Sequence, residues 1–281
     1  MKIVRFRTDN NIKMYGILVG EKILALDGDI FSIIKNTEIE FSLEKVKILP
    51  PVSHPNKIIG IGLNYKKHIE EWAKKINKRV NDVIPENPII FFKPPTSRIG
   101  QYGEIELPLE SNQVECEGEL ALIIGKECRN VDVKSALSNV LGYTCANDVT
   151  ARDIQKKEVQ WSRAKGFDTF CPLGPSITLQ KGFESYNIRK ILNFYKQTDF
   201  IENPDNLSIS TYLNNKKIQN FNTNEMIFSI SEIISFISKI MTLYPGDVIL
   251  TGTDIGTSKL SSNDKIEIEI KEIGKLINYV K

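Results

Sequence analysis

Short apolar runs broken by turn residues dominate the chain, and helical periodicity surfaces in only a few places. Lys2–Arg7, Met14–Val19 and Lys22–Ala25 read as strands, with turn signals at Asp9-Asn10-Asn11 and Gly20-Glu21. A brief helix is expected over Phe31–Lys35. The Pro-rich stretch Leu49-Pro50-Pro51-Val52-Ser53-His54-Pro55 reads as an extended linker, with His54 structural. Residues 1–55 are thus expected to form a small β-rich unit and residues 56–281 the main one. Lys57–Gly62, Pro88–Phe92 and Val140–Cys145 have the apolar character of buried strands. A helix is expected from about Lys66 to Lys75, followed by the polar segment Ile76–Glu86, which reads as a mobile lid. Residues 184–207 exceed what a connection between two strands needs and read as an insertion. Ser229-Ile230-Ser231-Glu232 resembles a capping box opening a helix through about Met241, with Ile233, Ile234, Ile237 and Ile240 as its apolar face. Lys265–Lys271 alternates strictly, placing Ile266, Ile268 and Ile270 inward.

One stretch departs from simple patterning. In Val114-Glu115-Cys116-Glu117-Gly118-Glu119-Leu120, alternation along a strand sets three carboxylates on one face. Like charges side by side cost free energy unless something positive lies between them. The run Leu120–Ile124 carries the strand into a core, where water cannot provide that compensation. A hard divalent cation can, and oxygen donors favour Mg²⁺, Mn²⁺ or Ca²⁺ over zinc. A solvated acidic edge strand, which resists edge-to-edge pairing, accounts for the same pattern. Gly118 leaves room for close backbone approach.

Further chemistry gathers around this stretch. His68 and Glu71 are three apart on the expected helix and therefore neighbours, and a carboxylate beside an imidazole raises its basicity. A surface His–Glu pair explains that spacing equally. Asn147-Asp148, Arg152-Asp153, Gln155 and Lys165 crowd charge into a short span where an amphipathic helix would space it out. Asp148 is placed to supply a third oxygen ligand beside Glu117 and Glu119, and Lys165 to balance negative charge and hold a substrate oxygen. A salt-bridged loop is the plainer alternative.

Composition narrows the class. With 41% hydrophobic and 26% charged residues, 281 residues suffice for a substantial core. A net charge of +2 gives no general attraction to nucleic acid or acidic membranes. The N-terminus lacks the apolar core of a signal peptide, and no run approaches a membrane span. Cys116, Cys128, Cys145 and Cys171 form no metal-binding spacing and read as reduced thiols of a cytoplasmic protein.

Taken together, several motifs carry a family resemblance. They are Asn64-Tyr65-x-x-His68-x-x-Glu71, Lys93-Pro94, Glu117-Gly118-Glu119-Leu120, Asn147-Asp148-x-x-Ala151-Arg152-Asp153-x-Gln155 and Ala164-Lys165-Gly166-Phe167-Asp168. Leu243-x-Pro245-Gly246-Asp247 through Thr251-Gly252-Thr253, and the closing Ile273-Gly274-x-Leu276-Ile277-Asn278-x-Val280, complete the set. In this order they resemble the fumarylacetoacetate hydrolase family, in its acylpyruvase or 2-hydroxyhepta-2,4-diene-1,7-dioate isomerase-like branch. The resemblance implies a mixed β-rich α+β fold, a β-roll or sandwich catalytic domain behind a small N-terminal β-rich domain, in a homodimer. It favours the metal reading: Glu117, Glu119 and Asp148 match ligands of a divalent ion, usually Mg²⁺, with Mn²⁺ an alternative and Ca²⁺ a further one in crystals. Glu115 matches a commonly acidic position that is not a ligand. His68 and Glu71 match a catalytic dyad, Lys165 a catalytic and substrate-binding position, and Gln155, Thr253 and Arg152 substrate-binding positions.

The implied substrate is a small 2-oxo acid of acylpyruvate type, handled through a metal-stabilised enolate. Carbon–carbon bond hydrolysis is the first expectation; isomerisation, tautomerisation and oxaloacetate decarboxylation are alternatives, and a non-catalytic acid-binding role is a more remote one. The family pattern Thr-Gly-Thr-Pro-x-Gly-Val-Gly is broken here by Asp254-Ile255-Gly256-Thr257-Ser258-Lys259, which leaves the wall of the substrate pocket unassigned.

Overall fold

The computed structural model describes residues 1–75, 77–183 and 199–281. Most of the proposed insertion, and Ile76, lie outside the described residues. Ten strands form the backbone of one large sheet. In spatial order they are Ile34–Ser42, Lys22–Gly28, Lys13–Val19, Lys2–Arg7, Cys171–Leu179, Val140–Asn147, Gly118–Ile124, Val248–Leu250, Ile58–Gly62 and Ile89–Lys93. Two short strands, Lys47–Leu49 and Arg98–Ile99, pair onto its flanks. Pairing is antiparallel except where Val248–Leu250 meets Ile58–Gly62 and where Arg98–Ile99 meets Cys171–Leu179. The N-terminal strands belong to this same sheet: Lys2 stands opposite Thr178, and Ile3 opposite Ile177.

A five-stranded sheet packs on one face, in the order Lys216–Asn222, Ser208–Leu213, Lys265–Ile270, Gly274–Val280 and Glu104–Ile105. This is the β-rich, helix-poor architecture expected. The uninterrupted apolar run after Glu119 follows from this layering. Leu120, Leu122 and Ile124 enter a core shared with Ile209, Ile268 and Leu276 of the second sheet. Ala121 and Ile123 enter a core on the opposite face, shared with Ile3, Ile17 and Ile177. A strand buried on both sides has no polar face to alternate with.

Local signals account for most element boundaries. The helix Lys66–Lys75 has the expected limits. Ile230–Ile240 is opened by a complete capping box: Ser229 Oγ accepts from the Glu232 amide, and Glu232 accepts from the Ser229 amide at 2.8 Å. Its apolar face differs in one member, because Ile240 is more than half exposed while Ile230 is buried. Phe31–Lys35 is not helical. Asp29 Oδ1 accepts from the Phe31 amide and the Asp29 amide bonds Ile33, closing a tight turn from which the strand begins at Ile34. Pro245-Gly246-Asp247 is a structural lock. The buried Asp247 carboxylate accepts from the Lys57 and Tyr244 amides and pairs with Lys57 Nζ at 2.7 Å, fixing the parallel strand pair. Among the described residues, no helix is long and apolar enough to cross a membrane.

Candidate active site

The acidic stretch is not one strand. Val114–Cys116 belongs to a three-stranded sheet with Thr150–Ala151 and Ser258–Lys259, whereas Gly118–Ile124 belongs to the large sheet. The break falls at Glu117, whose amide donates to Asn147 Oδ1 while its carbonyl accepts from the Asp148 amide. That crossing brings Asp148 to the two glutamates. Carboxylate oxygens of Glu117, Glu119 and Asp148 all lie within 4.8 Å of one another, and all three residues are buried. A solvated edge strand is therefore excluded. Glu115 points elsewhere. It receives Arg152 Nε at 2.9 Å, Gln113 Nε2 at 2.6 Å and Thr257 Oγ1 at 3.0 Å.

Gly118 is required by what faces it. A Cβ there would lie 2.0 Å from Thr211 Oγ1, so the glycine lets the second sheet approach the ligand strand directly. Gln219, from that sheet, accepts from the Gly118 amide at 3.0 Å and donates to Thr253 Oγ1 at 2.9 Å. Gly252 adopts φ +95°, with Asn64 Cβ only 3.0 Å from where its own Cβ would stand. Its amide thereby reaches Glu119 Oε2 at 2.6 Å.

Three cations interleave with these carboxylates. Lys165 Nζ bonds Glu117 Oε2 at 2.9 Å and also contacts Asp148 Oδ2. Lys93 Nζ, whose side chain is fully buried, bonds Asp148 Oδ1 at 2.6 Å. Arg152 bridges Glu115 and Glu117 and donates through Nη1 to Gln155 Oε1 at 2.6 Å.

Electrostatics divides the carboxylates. Burial raises the Glu117 pKa, but Lys165 and Arg152 overcome it and hold the group well below its usual range. Glu119 is pushed well above its ordinary value, by burial first and then by Asp148 and Glu117. Among the described residues no cation bonds it, and its carboxylate accepts from the Gly252 amide. A buried carboxylate so placed, beside two others, is the environment that a divalent cation relieves, and the all-oxygen donor set suits Mg²⁺, Mn²⁺ or Ca²⁺.

The triad opens into a cavity of about 600 Å³. His68, Glu71, Arg152, Gln155, Lys165 and Thr253 all line it, so the sequence-derived candidates meet in one place. His68 is largely buried with Nδ1 unpartnered among the described residues, and burial pulls its pKa below 6.5, with Glu117 partly opposing. Glu71 acts on it electrostatically from the next turn of the helix. Asp254 is buried with Oδ1 unpartnered, its Oδ2 3.9 Å from Lys67 Nζ. Gly256 and Thr257 of the same atypical loop form part of the wall.

Sequence reasoning left several contributors unassigned. Lys93 had a signal, since a lysine ending an apolar strand before two prolines is placed to be buried. Asn147 stood in a quoted motif without a role of its own, and Gln219 had no signal, because its role arises from the packing of the second sheet. The cysteines are buried free thiols, and burial raises Cys116, Cys145 and Cys171 to about 12, so none is a reactive thiolate.

With this geometry established, comparison with known proteins is decisive. The family model described as fumarylacetoacetate (FAA) hydrolase C-terminal matches residues 57–281. The chain belongs to the fumarylacetoacetate hydrolase family. A second model, described as Rv2993c-like, N-terminal, matches residues 1–51. Oxaloacetate tautomerase Fahd2a, mitochondrial, from Rattus norvegicus is 38% identical over 84% of this chain and 70% of its own length. The 5-carboxymethyl-2-hydroxymuconate delta-isomerase of Mycobacterium smegmatis superposes with a TM-score of 0.83 at 33% identity, covering 100% of this chain and 99% of its own. Maleylpyruvate hydrolase from Sphingobium sp. SYK-6, solved with manganese(II) and pyruvate, gives a TM-score of 0.77 at 26% identity, covering 100% and 98%. Family members thus include isomerases, tautomerases and hydrolases, and this chain is an enzyme of that family.

Proposed function

We propose that this enzyme moves a proton at C3 of a small 2-oxo acid, interconverting its keto and enol forms with the help of a divalent cation. The observation that carries the reading is that a buried carboxylate triad and the His68 imidazole face one cavity, with the Lys165 ammonium against two of the triad carboxylates. Glu117, Glu119 and Asp148 would hold the cation, most naturally Mg²⁺ with Mn²⁺ as its substitute. Bound there, it supplies electrophilic polarisation of the 2-oxo group.

The chain's own groups supply the rest. Lys165 places a fixed positive charge where negative charge develops on the 2-oxo oxygen. His68, whose charged form burial disfavours, accepts the C3 proton, and the Glu71 charge partly offsets burial by raising its basicity. Arg152 withholds itself from substrate by holding Glu115 and Glu117, while Thr253 and Gln155 form the polar walls. The similarity to the rat oxaloacetate tautomerase supports proton transfer as the primary outcome. The same reading keeps a cytoplasmic homodimer as its expected state.

Carbon–carbon hydrolysis is the second reading, favoured by one observation. The cavity of about 600 Å³ exceeds what a four-carbon acid fills, leaving room for a longer acyl group and a water. Parallel assays decide between them: ketonisation of enol-oxaloacetate by ultraviolet absorbance, and release of pyruvate from acetylpyruvate, each with chelator and with Mg²⁺ restored. Metal-dependent ketonisation with no pyruvate release supports the first reading. Pyruvate release at comparable kcat/KM replaces it with the second, and turnover unaffected by chelator overturns both.

A further inference from the structure

Among the described residues, the cavity wall carries one cation, Lys156, without a side-chain partner. Arg152 is committed to Glu115, Glu117 and Gln155, and Lys165 to Glu117 and Asp148. Lys156 also lines the cavity, yet among the described residues it makes no side-chain hydrogen bond or ion pair, and it stands at the exposed rim rather than at the buried base. The acidic residues nearest it in sequence are taken: Asp153 accepts from Ser111 Oγ at 2.6 Å and the Asn112 amide at 2.9 Å, and Glu158 accepts from Arg163 Nε at 2.7 Å. The chain places Lys156 at the rim because it directly follows the short helix Arg152–Gln155 and its amide caps that helix on the Arg152 carbonyl. Beside it, Arg152 grips Gln155 by the carbonyl oxygen. The Gln155 NH₂ group, with no acceptor within the described protein, is thereby left available to the cavity.

We propose that Lys156, assisted by the Gln155 amide, is the specificity-determining residue that recognises a second carboxylate at the far end of the substrate. The proposal rests on the functional reading above, because it supposes that the 2-oxo acid end is anchored at the buried triad. A ligand anchored there extends toward the rim, and the charge it meets is Lys156. A terminal methyl, ester or amide gains little from that ammonium, whereas a carboxylate forms a charge-assisted hydrogen bond that ligand binding partly shields from water. The cavity thereby favours 2-oxo diacids over 2-oxo monoacids of equal length.

Two probes share one skeleton longer than four carbons: 2-oxohexanedioate, which lacks the 4-oxo group that hydrolysis needs, and its C6 methyl ester, which lacks the distal charge. Calorimetric Kd values with Mg²⁺ present, for the native enzyme and for Lys156→Ala, Lys156→Arg and Lys156→Glu, test the assignment. The native enzyme is expected to bind the diacid about tenfold or more tightly than the ester, with a preference that shrinks as salt rises. Lys156→Ala should abolish the preference, Lys156→Arg restore it and Lys156→Glu invert it, while oxalate, which chelates but has no distal group, keeps its Kd in all four. Equal binding of both probes by the native enzyme overturns the proposal, as does a preference that survives Lys156→Glu. Retained preference without turnover leaves the proposal standing and refutes the catalytic reading instead. Failure of the diacid to bind at all overturns it as well.

Discussion

Substituting Gly118 with alanine tests whether the second sheet positions the carboxylate triad. The added Cβ would fall 2.0 Å from Thr211 Oγ1 and 3.2 Å from Gln219 Oε1, so something must move. Thr211 is fully buried and β-branched, with restricted rotamers, and it cannot swing into solvent. Overpacking of this kind costs about 1–3 kcal/mol. Displacing Gln219 also weakens its bond to the Gly118 amide, and a buried donor left unpaired costs about 1–3 kcal/mol more. Gly118→Ala should therefore lower stability by roughly 2–6 kcal/mol, measured by urea unfolding.

The offending atom can be removed. Among the described residues Thr211 Oγ1 has no hydrogen-bond partner, so Thr211→Ala deletes an unsatisfied hydroxyl at the cost of about one buried methyl, roughly 1 kcal/mol or less. The double variant should recover about 1–3 kcal/mol relative to the sum of the singles, a coupling well outside additive behaviour. Because Gly118 lies between Glu117 and Glu119, Mn²⁺ affinity should fall in Gly118→Ala and return in the double variant. An additive cycle, or undisturbed Mn²⁺ binding in the single variant, would refute the reasoning.

Glu119, with its pKa raised, contributes stability that is complete below its unfolded value near 4.5 and is lost as pH rises through the folded value. The metal-free enzyme should accordingly weaken as pH increases from about 4.5, and Glu119→Gln should flatten that decline in thermal melts while abolishing the gain in Tm on adding Mg²⁺. His68→Ala should depress kcat by about 10²–10⁴ with Mg²⁺ affinity unchanged, and the acid limb of native kcat/KM should fall below pH 6.5, since burial favours the neutral ring. An acid limb above 6.5 would contradict that placement. Residues 77–86, largely exposed and holding only a single 3₁₀ turn at Val80–Asp82, should exchange amide hydrogens quickly without ligand and more slowly with oxalate and Mg²⁺ if they close over His68; equal protection removes the lid.

Much of the site was legible because its residues cluster in sequence. Glu117, Glu119, Asp148 and Lys165 lie at element ends where charge interrupts apolar runs, and such interruptions stand out against a buried strand. The i, i+3 spacing placed His68 and Glu71 together for the same reason. Other features were not legible because they depend on contacts between distant segments. Alternation placed Glu115 with the other two glutamates, whereas the side chain of Asn147 captures the Glu117 amide and sends Val114–Cys116 into a different sheet. Nothing local to residue 219 marks it as the strut beneath Gly118 and Thr253. The turn at Asp29 defeated the helix expected over Phe31–Lys35 through one side-chain hydrogen bond. At Asp29 and at Glu117, single side-chain hydrogen bonds, one local and one from a segment thirty residues away, thus outweighed apolar patterning.

The central claim is that the triad, Lys165 and His68 together labilise a proton beside a 2-oxo group. It is tested most directly by following the C3 hydrogens of 2-oxobutanoate by proton NMR in D₂O, with the native enzyme, its metal-depleted form, Lys165→Met and His68→Ala. Rapid exchange should occur with the native enzyme and Mg²⁺, stop on chelation, resume on adding Mg²⁺ or Mn²⁺, and fall by at least about 10² in either variant. Exchange at the uncatalysed rate in the Mg²⁺-replete native enzyme, or catalysed exchange indifferent to both metal and His68, would contradict the account.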